Sequence, residues 1–473
     1  MIKEKQKLPE RVLQFGEGNF LRAFVDVFIN ELNEHNLFNG SIVVVQPIPQ
    51  GMADVINHQE GNYTAILRGL ENGVLVDNRL LVTCISRAIN PYTQFDEYKA
   101  LIKNPDLRFI VSNTTEAGIT YVETDDCTDT PPASFPGKIA ALLYERYQIF
   151  GGDPSKGFIF IPCELIDDNG DNLKDCVLRH ARNWKLPQGF IGWVNNCNEF
   201  TNTLVDRIVT GFPKNEAETL QQELGYKDDL IVTSEPFHFF AIQTRKEWMQ
   251  TLKDSLPFAK VGLNVVLTED VTPYKQRKVR ILNGAHTMSA LAAFLKGKNT
   301  VKEMMSDPQM AEYLRRGIYN EIIPSMDLDK EDLNNFAASV FDRFANPHIN
   351  HLLLSISLNS VSKFRTRVLP SILEYHKRTG GLPRELTYSF AALLAFYKGT
   401  EIKDGVLIGN RNGEEYKITD DMHVLEFFKN AWSNPETIVS QTCANIEFWG
   451  VDLTALPGFV EKVMEGLLEY VSL

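Results

Sequence analysis

Residues 11–15, RVLQF, form a short apolar run that passes straight into Gly16-Glu17-Gly18. Beyond the turn, Phe20, Phe24, Val27, Phe28 and Leu32 recur at close to helical spacing through residues 19–37. Strand, glycine turn, helix is the context in which a GxG carries meaning. Glycine permits the tight turn and lets backbone N–H groups approach a pyrophosphate. The third position of the usual pattern is Leu21 rather than Gly or Ala. On the turn alone, an ordinary strand–helix connection and a dinucleotide site are equally good readings.

The following segments extend the alternation. Residues 41–45, SIVVV, are a β-branched run of the kind buried in parallel sheets. At its end an Asp or Glu would mark a ribose-binding site for NAD. Here Gln46-Pro47 stand instead, and no neighbouring arginine awaits a 2′-phosphate, which leans toward NAD. Residues 75–85, 108–112 and 157–162 read as strands, and 91–102, 135–147 and 172–184 as helices. Asn113-Thr114-Thr115 follow the 108–112 strand. Small polar residues there either meet a ligand or cap the next helix. The alternation predicts a Rossmann-like, doubly wound α/β domain.

From residue 274 the pattern becomes helical, over 274–296, 308–322, 331–344, 347–359, 366–378, 385–398, 422–434 and 456–471, with one possible strand at 405–409. The expected organisation is a dinucleotide-binding domain over 1–255 and a mostly α-helical substrate and catalytic domain over 256–473, joined near 253–258.

The formal net charge of −13 over 473 residues makes nucleic acid and membranes poor partners. An anionic substrate would need a local cluster of Lys or Arg. The six cysteines show no CxxC spacing and no zinc-like Cys/His cluster, so no metal is expected. No run of apolar residues reaches the length of a membrane span. The expectation is a reduced, soluble, cytoplasmic protein. Oligomeric state has no signature in the residues.

One helical stretch carries the chemistry. Residues 274–291, YKQRKVRILNGAHTMSAL, contain Lys278, Asn283 and His286. On an α-helix these project at roughly 0°, 140° and 80°, from one side. A partly desolvated lysine can exchange a proton, an amide can donate to an alkoxide-like oxygen, and an imidazole can hold a hydroxyl. That set suits hydride transfer between a ketone and a secondary alcohol. By spacing alone the competing reading stays open: a solvated basic run, an Asn-Gly helix stop and a satisfied core histidine. In the amide-rich 195–202 segment, Asn202 is a second candidate oxyanion donor, while Asn195, Asn196 and Asn198 read as turn caps. Asp206 and Arg207 read as an internal ion pair.

The Lys278–Asn283–His286 spacing resembles the signature of the long-chain polyol dehydrogenases, the mannitol dehydrogenase family. Asn202 to Ile208, NTLVDRI, is similar to that family's NSMVDRI element, and RFANP at 343–347 and KFR at 363–365 also match its pattern. Many members read GxGxFHRAH at the N-terminal turn. This chain has Leu21 and Phe24 where the histidines stand, as in the tagaturonate reductase branch. The resemblance implies metal-free, NAD-dependent hydride transfer on a sugar acid, a ketouronate and its aldonate. It implies Lys278 as general acid and base, Asn283 and Asn202 as oxyanion donors, and His286 on the reacting hydroxyl, in a cleft between two domains. The nucleotide would lie on Phe15, Gly16, Glu17, Gly18, Asn19, Phe20 and Leu21, near Gln46, Asn113 and Thr114. A substrate carboxylate would call on Lys363, Arg365 or Arg367. Lys363 and Arg367 share a helical face at i, i+4.

Overall fold

The computed structural model describes residues 7–471. They fall into two compact units. One holds the chain up to Arg68 together with Leu75–Tyr274, and the other holds Gly69–Val74 and the chain from Lys275 onward.

The first unit is built on six strands: β1 (Glu10–Phe15), β2 (Ser41–Val45), β3 (Ile85–Ile89), β4 (Phe109–Ser112), β5 (Ile159–Pro162) and β6 (Glu199–Phe200). All pair in parallel, in the spatial order 3-2-1-4-5-6. This is the doubly wound Rossmann order, whose direction reverses between β1 and β4. Side chains alternate faces along a strand, so a sheet covered on both sides needs two cores. Val12, Ile42, Val44, Phe109 and Val111 pack into one core, with Phe24 and Phe28 of the first crossover. Leu13, Phe15, Val43, Val45 and Ile110 pack into the other, with Ile139, Leu143 and Val177. Each fully buried side chain of this size contributes about 1.5–3 kcal/mol.

Several elements differ from expectation for identifiable reasons. The expected helix over 19–37 is two pieces, Asn19–Arg22 and Val25–Glu34. Between them the Arg22 carbonyl accepts from Tyr63 Oη at 2.7 Å and the Ala23 carbonyl from Arg207 Nη1 at 2.7 Å. Acceptors taken by side chains are withdrawn from the helical ladder. The expected strand over 75–85 stops at Val82, where Asn30 Oδ1 accepts from the Thr83 amide, and β3 begins afresh at Ile85. Tyr63–Glu71 and Val74–Val82 instead join Val209–Gly211 and Val232–Ser234 in a four-stranded sheet. The expected joint near 253–258 lies within the first unit. Val265–Thr268 pairs in parallel with Phe239–Gln243, which ties the chain to that unit through residue 268. Asp206 ends the strand Asn202–Asp206. The expected ion pair is replaced: Arg207 donates to the carbonyls of Ala23, Pro236 and Phe237 and lies against His238.

The second unit is mostly helical. Its 347–359 segment holds only the single turn Leu353–Ile356, because Thr300 and Leu352 bridge as extended chain and the Leu353 amide donates to Asn299. The lone strand signal at 405–409 is the middle of a three-stranded antiparallel sheet, Gly399–Lys403, Val406–Arg411 and Glu414–Ile418. Among the described residues, no helix is long and apolar enough to cross a membrane.

Candidate active site

At the reversal point of the sheet, β1 ends on Phe15, whose ring is buried against Phe135. Gly16 follows at φ +121°, and a Cβ there would meet the Asn113 carbonyl at 2.9 Å. Only glycine tolerates both the conformation and that approach. A Cβ on Gly18 would meet nothing within 4 Å, so the space above the turn is open. Gly18 and Asn19 are exposed, whereas Leu21 is buried and Phe20 half-buried. Arg22 braces the turn by donating to the Glu17 carbonyl at 3.1 Å and to Asn19 Oδ1 at 2.8 Å. Gln14 Nε2 donates to the Gly16 carbonyl at 3.1 Å. A turn at the switch point with Gly18 and Asn19 exposed fits a dinucleotide pyrophosphate.

The neighbouring candidates are tied into the protein. Gln46 Nε2 donates to the Ile48 and Pro49 carbonyls, both at 2.9 Å, and its Oε1 accepts from Ala53 N. Gln46 therefore closes its own loop, and its amide is not a free ribose contact. Asn113 Nδ2 donates to the Cys163 carbonyl at 2.7 Å, and Thr114 donates twice to Glu164. These two residues stitch the ends of β4 and β5 together. Arg22, the arginine of the N-terminal turn motif, and Glu164, which no motif marks, carry this bracing role.

In the second unit, the 274–291 stretch is helical but not uniformly α. Thr272–Arg277 is α, Lys278–Asn283 is π, and Gly284–Leu295 is α again. A π segment bonds i to i+5, so Lys278 and Asn283 stand one bonded turn apart, and such bulges recur at functional sites. The winding brings Asn283 closer in azimuth to Lys278 than a regular α-helix would.

The competing reading of this stretch meets three observations. Arg277 is buried, paired with Asp332 and stacked on Phe336 at 4.5 Å, and Arg280 Nε donates to Ser371 at 2.8 Å, so the basic run is not a solvated face. Asn283 and Gly284 keep helical backbone angles, so no helix ends there. His286 makes no hydrogen bond among the described residues, and its Nδ1 is buried without a partner.

The His286 ring stacks on Phe344 at 4.0 Å and meets His351 edge-on at 5.2 Å. Burial, then His351, Arg343, Arg367 and Lys363, hold its pKa well below the usual 6.5, so it is neutral. The electrostatics thus gather His286, Arg343, His351, Lys363 and Arg367 into one cationic neighbourhood. Burial lowers the pKa of Lys363 and of Arg367, and Arg367 adds to the effect on Lys363. Lys363 Nζ donates to the Ile356 carbonyl at 3.0 Å. Arg367 has no carboxylate partner among the described residues. Its carbonyl lies 3.2 Å from where a Gly284 Cβ would sit, so Gly284 lets the helix Ser360–Arg367 seat against the 274–291 stretch. Arg365 is not in this group. Two residues from Lys363, it faces away, donates to the Glu447 carbonyl at 3.2 Å and lies beside Gly450. Arg343, in the RFANP stretch, and His351 bear on His286 through packing, with no spacing signal of their own.

Asn202 belongs to the first unit. Its Oδ1 accepts from Gly170 N and Asp171 N, each at 3.0 Å, and its Nδ2 donates to Asp171 Oδ2 at 2.8 Å. It caps the helix Asn169–Asn183 and borders a polar cavity of about 430 Å³ with Glu199 and Arg245. One of its amide hydrogens has no partner among the described residues.

Two family descriptions span this architecture. The mannitol dehydrogenase Rossmann domain matches residues 10–253, and the mannitol dehydrogenase C-terminal domain matches residues 270–471. The chain belongs to the mannitol dehydrogenase family. It is therefore an oxidoreductase of the polyol and sugar-acid class, acting on CH–OH groups. Similar members include the altronate oxidoreductase of Shigella flexneri, 47% identical over 97% of this chain and 94% of that protein. The altronate oxidoreductase of Escherichia coli O7:K1 is 46% identical over the same shares, 97% and 94%. Among solved structures, Pseudomonas fluorescens mannitol 2-dehydrogenase, in a ternary complex with NAD and D-mannitol, matches with a TM-score of 0.64 and 22% identity, covering 98% of this chain and 92% of that one. Substrate-free D-sorbitol dehydrogenase matches with a TM-score of 0.79 and 19% identity, covering 97% and 92%. These likenesses carry the family's two-part fold.

Proposed function

We propose that the protein interconverts D-tagaturonate and D-altronate with NAD. The observation that carries this reading is the neutral His286, on the same helical stretch as Lys278 and Asn283, with Arg343, Lys363 and Arg367 bearing on it. Arg343 and Lys363 stand in stretches that match the pattern of the whole family, whereas Arg367 lies outside them and has no carboxylate partner among the described residues, as a sugar acid's carboxylate would require. The identity to altronate oxidoreductases over nearly the whole chain supports the same substrate. The open Gly16–Gly18 turn is where Gly16, Gly18 and Asn19 would hold the dinucleotide, which when bound supplies or accepts the hydride.

The chain's residues do the rest. Lys278 gives a proton to the ketone oxygen during reduction and takes it back during oxidation. The Asn283 amide donates to that oxygen as charge develops on it. Neutral His286 holds the adjacent hydroxyl, since a neutral imidazole both donates and accepts. Asn202 is assigned a second donor role through its remaining N–H. Arg367 and Lys363 attract the carboxylate.

The test is a panel of tagaturonate, fructuronate, fructose and sorbose with NADH and NADPH, on wild type and Lys278→Ala. Tagaturonate with NADH should be fastest, and Lys278→Ala should lose about 10²- to 10⁴-fold in kcat. Faster turnover of a neutral ketose, or a Lys278→Ala enzyme near the wild-type rate, defeats the assignment.

A further inference from the structure

In a sheet of this order, the adenosine ribose of a bound dinucleotide sits at the end of β2, and an acid there reads its 2′-hydroxyl. The β2 strand ends at Val45, and residues 46–53, QPIPQGMA, contain no acid. The Gln46 amide is fully engaged within this loop, as described above. Its three hydrogen bonds fold the loop back so that Gly51 comes against the glycine turn. A Cβ on Gly51 would lie 2.1 Å from Glu17 Oε1 and 2.6 Å from Gln46 Oε1. The carboxylate of Glu17 has therefore crossed from the β1 turn to the loop after β2, where the backbone N–H dipoles of Glu17 and Met52 favour its charge. It is almost fully buried, 9% exposed, with Gly18 and Asn19 open beside it.

We propose that Glu17 is the residue that selects NAD over NADP. It replaces the missing acid of β2, accepting a hydrogen bond from the ribose 2′-hydroxyl and repelling a 2′-phosphate. A carboxylate offers about four acceptor sites, so Glu17 has capacity for that hydroxyl. Burial holds the pKa of Glu17 above its ordinary value, as expected of a carboxylate with an incomplete set of partners. Gly51 is the matching feature, because any side chain there would displace the carboxylate. The proposal rests on the dinucleotide reading above.

The experiment is equilibrium binding, followed by nicotinamide fluorescence, of NADH and NADPH to the full chain. ADP-ribose and 2′-phospho-ADP-ribose serve as competitors that lack the reacting ring. Wild type should prefer NADH, and Glu17→Gln should narrow the NADH:NADPH ratio of Kd values by about tenfold or more. Gly51→Ala keeps the charge but moves it, and should shift the ratio the same way. Asp54→Asn, the next acid along the chain, should leave it unchanged. An unchanged ratio in folded Glu17→Gln and Gly51→Ala overturns the proposal, as does a wild-type preference for NADPH or a shift in Asp54→Asn instead. A wild type that binds neither dinucleotide overturns the functional reading as well.

Discussion

Lys363, Arg365 and Arg367 are three cations within five positions, and they do not share one environment. Lys363 and Arg367 lie on the face of their helix that turns toward His286, while Arg365 turns to Glu447 and Gly450. Arg367→Ala should therefore raise KM for a ketouronate by about tenfold, the worth of a charge-assisted hydrogen bond, and change KM for a neutral ketose little. Arg365→Ala should change neither. Equal effects of the two substitutions on both substrates would remove Arg367 from carboxylate recognition. The i, i+4 spacing of Lys363 and Arg367 was legible from the residues, because helical periodicity alone sets it. That Arg343 and His351 bear on the same imidazole was not legible, since they stand on a different helix and in a loop, and only packing brings them there.

At the scale of elements, local chemistry decided some features and tertiary contacts others. The three-stranded sheet at 399–418 turns on Asp404-Gly405 and Asn412-Gly413, all four residues at positive φ. These are type I′ hairpin signals, legible in principle from Asp-Gly and Asn-Gly between alternating residues. The break in the first helix was not, because Tyr63 and Arg207 reach it from 41 and 184 residues away. The π segment likewise leaves no mark on the hydrophobic pattern of residues 278–283. Gly170 offers a sharp test of element packing. A Cβ there would lie 2.1 Å from the Thr201 carbonyl, a backbone atom that cannot swing aside. Gly170→Ala should cost several kcal/mol, on the order of 2–4, despite alanine's better helix propensity. Gly317→Ala is the contrast, since its Cβ would meet the flexible end of Met288 at 2.3 Å. Thermal unfolding followed by circular dichroism should show Gly170→Ala melting well below wild type and Gly317→Ala close to it. The reverse order would show that the loop at Thr201 yields.

Across the whole molecule, each unit holds a histidine that burial keeps neutral, and this sets the response to acid. In the first unit His238 Nε2 accepts from Asn264 N at 3.0 Å, and burial with the nearby Arg207 lowers its pKa from 6.5 to about 4. In the second, burial likewise holds His286 well below 6.5. Above pH 6.5 both folded and unfolded chains leave these rings neutral. As pH falls the unfolded chain binds their protons first, so stability declines from 6.5 downward, and the His238 share is complete only below about 4. Denaturant unfolding at pH 7.5 and 4.5 should show a loss on the order of 2 kcal/mol attributable to His238, absent in His238→Gln. A flat profile in the wild type would mean that His238 is solvated in the fold. The sequence by itself determined the two-part architecture, the parallel sheet and the glycine turn, because periodicity and φ requirements are local properties of the chain. It also marked Lys278, Asn283 and His286 as a set. Only the tertiary structure decided that Gln46 and Asn202 are bound into the scaffold, that Arg365 faces away, and that Glu17 has crossed to the end of β2. Hydrogen-bond partners and burial depend on residues distant in the chain, and no local pattern encodes them.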